Sequence, residues 1–293
     1  MRRGQERDCG RVSRGVGLLE LRVDDTIARH WGAVTLLAAN ERYEYTGLTD
    51  VGMKRTHNED NYKMLPEFDV YLVADGMGGH ASGEVASEIA VETVAGFFAD
   101  SQADEDITWP YKEDRERSFV ENRFITSFRY ANLQVFSHAQ EDLKKKGMGT
   151  TIVGIAFKDS KYYVAHVGDS RCYRIRNGKI EQLTEDHSLL NDYKKMAKLT
   201  AEEEKNFPHK NIIVRALGMK DSVLVDLGLD SVIKDDLFIL CSDGLSGELE
   251  DDEILSLAMD NLDDLDTMCS VLINAANANG GKDNVTAVVV KAR

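Results

Sequence analysis

The run Val70-Tyr71-Leu72-Val73-Ala74 has the length of a strand and carries the chain inward, and it stops at a carboxylate, Asp75. Gly76, Gly78 and Gly79 follow, which let the backbone turn sharply and leave it bare of side chains, and a helical pattern begins at about Ser82. An acid at a strand end beside naked backbone suits a hard cation. It equally suits a tight Asp-Gly turn in which the Asp caps the helix. The stretch alone leaves both readings open.

The same arrangement recurs. Leu237-Phe-Ile-Leu-Cys-Ser242 runs into Asp243-Gly244-Leu245-Ser246-Gly247, again an apolar strand, a small residue, Asp-Gly, an apolar residue and a later glycine. A third acid, Asp283, stands just before the strand pattern Val285–Val290, behind Gly280-Gly281-Lys282. In an antiparallel sheet the end of one strand adjoins the start of its neighbour, so Asp75, Asp243 and Asp283 are expected to meet at one rim. Glu59 and Asp60, at the entry of another strand, are placed to join them. Taken singly, each acid is more simply a solvated turn or a loop cap; the repeated context is what favours a site. Carboxylates so gathered repel unless cations neutralise them. Oxygen donors without a Cys or His cluster select Mg²⁺ or Mn²⁺ rather than zinc or copper. Two such ions about 3.5–4 Å apart can share a hydroxide and stabilise in-line displacement at phosphorus.

The remaining elements fix the fold class. Residues 1–42 are read as an N-terminal extension, Arg- and Gly-rich up to Gly17 and without a periodic pattern there. The folded part begins at Tyr43 with the alternating strand Tyr-Glu-Tyr-Thr-Gly-Leu-Thr, followed by a turn over Asp50–Arg55 and a strand from Asn61 to Leu65. After the stretch at Val70 come a helix over about 82–98 and an acidic loop over 100–117. Ser118 and Glu121 form a capping box for a second helix whose inner side carries Phe124, Phe128, Ala131 and Val135. Strands are predicted at 150–157, 161–167, 170–176 and 179–183, the last two joined by Asn177-Gly178, a strong hairpin signal. Residues 187–212 read as an irregular polar excursion. Strands at 223–229 and 237–241, helices at about 250–261 and 265–278, and a last strand at 285–291 complete the chain. Blocks of strands and helices, rather than strict alternation, predict an α+β fold of antiparallel sheets covered by helices.

Composition excludes some functions. The net charge of −15 argues against nucleic acid and against anionic membrane surfaces. The longest apolar candidate, Trp31 to Ala39, is far short of the ~20 residues a spanning helix needs, and it lies too deep to be the core of a signal peptide. Cys9, Cys172, Cys241 and Cys269 are scattered without a Cys-x-x-Cys pair, so a reducing, cytoplasmic compartment is expected.

The motifs Asp50-x-Gly52-x-x-Arg55-x-x-Asn58-Glu59-Asp60, Val73-Ala-Asp-Gly-Met-Gly-Gly-His80, Gly149-Thr-Thr151, Val167-Gly-Asp-Ser-Arg171, Arg215-Ala-Leu-Gly218, Ser242-Asp-Gly244 and Asp283-Asn284 occur in that order. Over about residues 43–292 the chain resembles the protein phosphatase 2C (PPM) family, and within it the bacterial serine/threonine phosphatase branch, where Met follows Asp-Gly. The resemblance implies a four-layer α-β-β-α sandwich, two antiparallel sheets flanked by helices, with a dinuclear Mn²⁺ or Mg²⁺ site at one rim. It implies that Asp75 bridges the two metals, the Gly76 carbonyl ligates one, Asp243 and Asp283 complete the second site, and Glu59 and Asp60 help hold the first. Arg55 would grip the substrate phosphate with its fixed fork of donors. The implied activity is hydrolysis of phosphoserine and phosphothreonine in proteins by a metal-bridging hydroxide, with kinase targets as partners. Residues 187–212 resemble the family's flap.

The chain departs from the family in two places. Met77 stands where eukaryotic members carry a His proposed as general acid, leaving His80 as a candidate proton donor, read more simply as a helix cap or packing residue; His57 and His187 have similarly weak claims. Lys144-Lys145-Lys146 stands where some bacterial members carry a third-metal acid. Two rival functions are a phosphatase of small phosphoesters and a non-catalytic, phosphatase-like binding module.

Overall fold

A computed structural model describes residues 38–39, 42–78, 82–103, 108–141, 145, 147–197, 199, 203, 207 and 212–293. Its strands are β1 (Ala38–Ala39), β2 (Tyr43–Asp50), β3 (Asp60–Leu65), β4 (Val70–Met77), β5 (Gly149–Thr150), β6 (Ile152–Lys158), β7 (Lys161–Val167), β8 (Arg171–Arg176), β9 (Lys179–Gln182), β10 (Asp226–Ser231), β11 (Leu237–Cys241) and β12 (Val285–Ala292). Helices α1 (Ser82–Ala103) and α2 (Phe119–Glu141) precede β5, and α3 (Leu189–Met196) lies between β9 and β10. The short α4 (Asp243–Ser246), α5 (Asp251–Asp260) and α6 (Leu265–Asn279) stand between β11 and β12.

The strands form two antiparallel sheets, ordered β1-β2-β12-β11-β8-β9 and β10-β7-β6-β4-β3, with β5 paired to β4. Side-chain alternation explains how they stack. On β4, Val70, Leu72 and Ala74 pack with Ala90, Val94, Phe124 and Phe128 of α1 and α2. Tyr71 and Val73 instead face the other sheet, meeting Phe238, Leu240, Val288 and Val290. On β11, Leu237, Ile239 and Cys241 pack under α5 and α6, with Ile254, Met268 and Leu272. Three apolar layers therefore separate four structural layers, α-β-β-α, as the resemblance implied. The inner strands read as unbroken apolar runs because both of their faces are covered. Phe157 locks the sheets together, stacked on Tyr43 at 4.3 Å and edge-on to Phe238 at 5.3 Å between ring centroids.

The hairpin at Asn177-Gly178 has positive φ at both residues, 53° and 68°, which a two-residue turn matched to strand twist requires. The excursion at 187–212 differs from the expectation in one part: it contains α3, capped by Ser188, whose Oγ accepts from Asn191 N–H. Leu189, Leu190, Tyr193 and Met196 do recur at helical spacing, but none of α3 is buried and the short run lies among polar residues, so it reads as an excursion rather than a core helix. Its segment is tied down by Leu189 N–H to the Ile212 carbonyl and Val214 N–H to the His187 carbonyl, both at 2.9 Å. The other residues expected in the flap, 198, 200–202, 204–206 and 208–211, lie outside the described ones, as do residues 1–37 of the N-terminal extension. No helix among the described residues is long and apolar enough to cross a membrane.

Candidate active site

The antiparallel register sets Asp75 of β4 directly opposite Asp60 of β3. The backbone of Asp75 is fixed from the far side. Its carbonyl accepts from Thr151 N–H and Thr150 Oγ, both at 2.8 Å, and its N–H donates to Thr151 Oγ at 3.2 Å. Gly76 donates to the Glu59 carbonyl at 3.1 Å, and a Cβ there would sit 2.1 Å from the Gly83 carbonyl. Only glycine lets β4 and the start of α1 approach so closely.

The other acids arrive from the second sheet. Asp243 opens α4 at the end of β11, and Asp283 precedes β12. A Cβ at Gly244 would lie 2.0 Å from the Asn284 carbonyl, so these two segments also touch backbone to backbone. Asn284 pins the loop carrying Arg55: its side-chain amide donates to the carbonyls of Val51 and His57 at 2.9 Å each, and its Oδ1 accepts from Glu59 N–H at 2.8 Å. Arg55 is exposed and donates through Nη2 to Asp283 Oδ2 at 2.6 Å. The sequence expectation placed the acids along the rim of one sheet. They converge instead from the ends of two stacked sheets, which the four-layer packing brings face to face.

Electrostatics shows how close they come. Burial, then the neighbouring charges of Asp60, Asp243, Asp169 and Asp283, hold the Asp75 carboxyl well above its usual range. Asp243 is raised by burial and then by Asp283, with Asp75, Arg55 and Arg171 opposing the rise. Asp60 is pushed up to about 7 by burial, with Asp243 and Asp283 adding to it and hydrogen bonds from Thr286 and Ser242 opposing it. Asp169 is likewise pushed up to about 7, by burial and then by Asp243 and Asp186. Among the described residues, Oδ1 of Asp60, of Asp169 and of Asp243 is buried without a hydrogen-bond partner. Neighbouring buried carboxyl oxygens with no lysine or arginine bonded to them among the described residues fit divalent cations bound by oxygen.

Asp60, Asp75, Asp243 and Asp283 are thus brought together, with Arg55 at their edge. Glu59 is held beside them, its carboxylate accepting from Gly83 N–H at 3.3 Å, next to the start of α1. His80 lies outside the described residues. His57 is exposed in the Arg55 loop. Met77 follows Asp75 by two positions on β4, hence on the same strand face, and carries no proton to give. Sequence reasoning missed Asp169 as a site residue, although Val167-Gly168-Asp169 repeats the pattern of a strand ending in an acid. Ser242 and Asn284 stood in quoted motifs without a role, and Thr286 was missed, since a hydroxyl in a strand gives no distinguishing signal.

His187 lies apart from the acids, at the root of the flap-like segment. Its ring stacks on His166 with centroids 4.7 Å apart. With Asp226 the two histidines offer ligand atoms within 4.8 Å of one another. Arg215 already fills that position: its Nη1 is 2.9 Å from His187 Nε2 and 2.7 Å from Asp226 Oδ1. A guanidinium there displaces a cation. His187 Nδ1 accepts from Gly168 N–H at 3.0 Å, and burial pulls its pKa down to about 4. It is a neutral structural histidine.

Known proteins share this architecture. The serine/threonine phosphatase Stp of Listeria welshimeri is 36% identical over 250 residues, spanning 83% of this chain and 93% of its own length. The crystal structure of the Mycobacterium tuberculosis serine/threonine phosphatase PstP/Ppp superposes with a TM-score of 0.74 at 30% identity, over 85% of this chain and 98% of that one. The PstP catalytic domain in complex with two manganese ions superposes with a TM-score of 0.71, also at 30% identity, over 86% of this chain and 98% of that one. The family description "Protein phosphatase 2C" matches residues 53–287, an interval that contains Arg55 and all five clustered aspartates. The chain belongs to the protein phosphatase 2C family.

Proposed function

We propose that the chain is a metal-dependent protein serine/threonine phosphatase acting on phosphoserine and phosphothreonine in proteins modified by kinases. The observation that carries this reading is the convergence of buried, partnerless carboxylate oxygens from two sheets beside an exposed arginine. Asp75, the Gly76 carbonyl, Asp243 and Asp283, with Glu59 and Asp60 behind them, would hold two Mn²⁺ or Mg²⁺ ions. Bound there, such ions supply an activated water and neutralise charge on the phosphoryl group, the main need of a reaction as slow as phosphomonoester hydrolysis.

The chain's own groups do the rest. Arg55 offers a planar fork matched to two phosphate oxygens. Its bond to Asp283 presets the guanidinium at the edge of the acid cluster, so the phosphate is gripped next to the metal site. The hydroxyls of Thr150 and Thr151, bonded to the Asp75 carbonyl and N–H respectively, hold the Asp75 backbone against its neighbours' repulsion. Three described cysteines, all buried and free, suit a cytoplasmic setting.

The test is turnover of a phosphothreonine peptide with Mn²⁺, with EDTA as control and a small aryl phosphate for comparison. Chelator-sensitive hydrolysis of the peptide is expected. Activity that survives EDTA, or hydrolysis of the aryl phosphate alone, would overturn the reading.

A further inference from the structure

Asp60 belongs to one sheet and is held by the other. Its Oδ2 accepts two hydroxyl hydrogen bonds, from Ser242 Oγ at 2.7 Å and from Thr286 Oγ at 2.6 Å. Asp60, Ser242 and Thr286 are all buried. The bonding continues outward from Thr286, whose Oγ lies 2.7 Å from Thr49 Oγ, and Thr49 Oγ accepts from Asn58 Nδ2 at 2.8 Å. Asn58 Oδ1 returns to the start, accepting from Asp60 N–H at 3.2 Å.

The proton order in this ring is determined by donor counting. In the ionised form that would hold a cation, Asp60 only accepts, so Thr286 spends its single hydroxyl proton on it. Thr49 must then donate to Thr286, which is consistent with Thr49 accepting from the Asn58 amide. Ser242 Oγ accepts from Thr286 N–H at 3.0 Å, leaving its proton for Asp60 as well. Every donor therefore points toward one oxygen. Such an aligned, buried chain is mutually polarised and rigid. Oδ2 is saturated. Oδ1, buried and without a partner, is the oxygen left with free lone pairs beside Asp75 and Asp243.

We propose that Thr286 and Ser242, backed by Thr49 and Asn58, are positioning residues that fix Asp60 so that Oδ1 alone is presented to the metal ions, and so set the metal affinity of the site. The inference rests on the metal-dependent reading above. It also accounts for why the ring spans both sheets: Asp60 is oriented from the sheet that carries Asp243 and Asp283, so the two halves of the acid cluster keep a fixed relation.

The experiment is calorimetric titration of the metal-stripped full-length protein with Mn²⁺, for wild type, Thr286→Val, Thr286→Ser and Ser242→Ala. Valine keeps the branched shape and loses the hydroxyl, whereas serine keeps the hydroxyl. Thr286→Val is expected to weaken Mn²⁺ binding about 10- to 100-fold, the usual cost of losing an outer-shell partner. Thr286→Ser should restore affinity to near wild type, and turnover of Thr286→Val should recover when Mn²⁺ is raised in proportion. Ser242→Ala removes the other donor and should weaken binding in the same direction, which keeps the test decisive if the valine variant does not fold. A purely structural role predicts a lower melting temperature in EDTA with unchanged Mn²⁺ affinity. That result, or a serine variant as weak as the valine one, overturns the proposal. Absence of Mn²⁺ binding by the wild type would instead sink the metal-dependent reading, and this inference with it.

Discussion

Without metal, this protein should lose stability as the pH rises through neutrality. Asp60 is the group from which the size of the effect can be worked. Its carboxyl goes from 3.8 up to about 7 in the fold, mainly through burial. Between those two values the folded state holds a proton that the unfolded chain has released. The contribution of Asp60 is therefore fully present below about 3.8 and is lost as pH rises through about 7. From pH 5 to 7, at ~1.36 kcal/mol per pH unit while Asp60 stays protonated, that is on the order of 2–3 kcal/mol. For a chain of this size class it corresponds to a fall of about 5–10 °C in melting temperature. Asp169, also raised to about 7, acts with the same sign. The assay is thermal unfolding in EDTA at pH 5 to 8, for wild type and Asp60→Asn. The asparagine keeps an oxygen for Ser242 and Thr286 but does not titrate, so its curve should be flatter by the share of Asp60. Saturating Mn²⁺ should abolish or reverse the fall, because it binds the deprotonated cluster. A wild-type melting temperature that is flat or rising with pH in EDTA would refute the reasoning, as would an asparagine variant with the full slope.

Three further outcomes follow from the same geometry. Asp243→Asn should lower Mn²⁺-dependent hydrolysis of a chromogenic phosphomonoester by roughly 100-fold or more, with an unchanged far-UV circular dichroism spectrum; near-full activity would contradict a site built on Asp243. Arg55→Lys should cost about 1.5–3 kcal/mol of transition-state binding, read as a drop of about 10- to 100-fold in kcat/KM, because a point charge cannot reproduce the fork; an unchanged kcat/KM would remove Arg55 from phosphate recognition. Gly244→Ala places a Cβ 2.0 Å from the Asn284 carbonyl and must push Asp283 and Asn284 aside. It should cost about 1–3 kcal/mol in denaturant unfolding together with most of the activity, and a stable, active alanine variant would show that the two backbones do not meet as closely as described.

Much of this was legible in the sequence because it rests on short-range pattern. The strand at Val70–Ala74, its echo at Leu237–Cys241, the Asn177-Gly178 hairpin and the block order of elements announced antiparallel sheets covered by helices. What the pattern does not encode is which sheet each strand joins. Asp75 and Asp243 stand in the same local context, yet β4 pairs with β3 and β6 while β11 pairs with β12 and β8. That assignment comes from tertiary packing of faces such as Tyr71 and Phe238, which no periodicity distinguishes. The helix α3 was signalled only by the short run Leu189, Leu190, Tyr193 and Met196, too brief among polar residues to stand out. Thr286 and Ser242 were illegible for another reason: their significance is a partner far along the chain, Asp60, and a hydroxyl in a strand reads the same whether it faces a carboxylate or solvent.

The acid cluster and the sandwich bear on each other. Two sheets that meet at their ends through carboxylates would splay there, since each acid raises the cost of ionising the next. The ring counters this by joining the sheets through two hydroxyl bonds to one carboxyl oxygen of Asp60, from Ser242 and Thr286, the latter backed by Thr49. The glycines at 76 and 244 do the same with backbone contacts too close for any side chain. The repulsion that remains is released when cations bind. Replacing one of these acids by its amide therefore relieves repulsion in the metal-free fold while removing an anionic donor from the metal site.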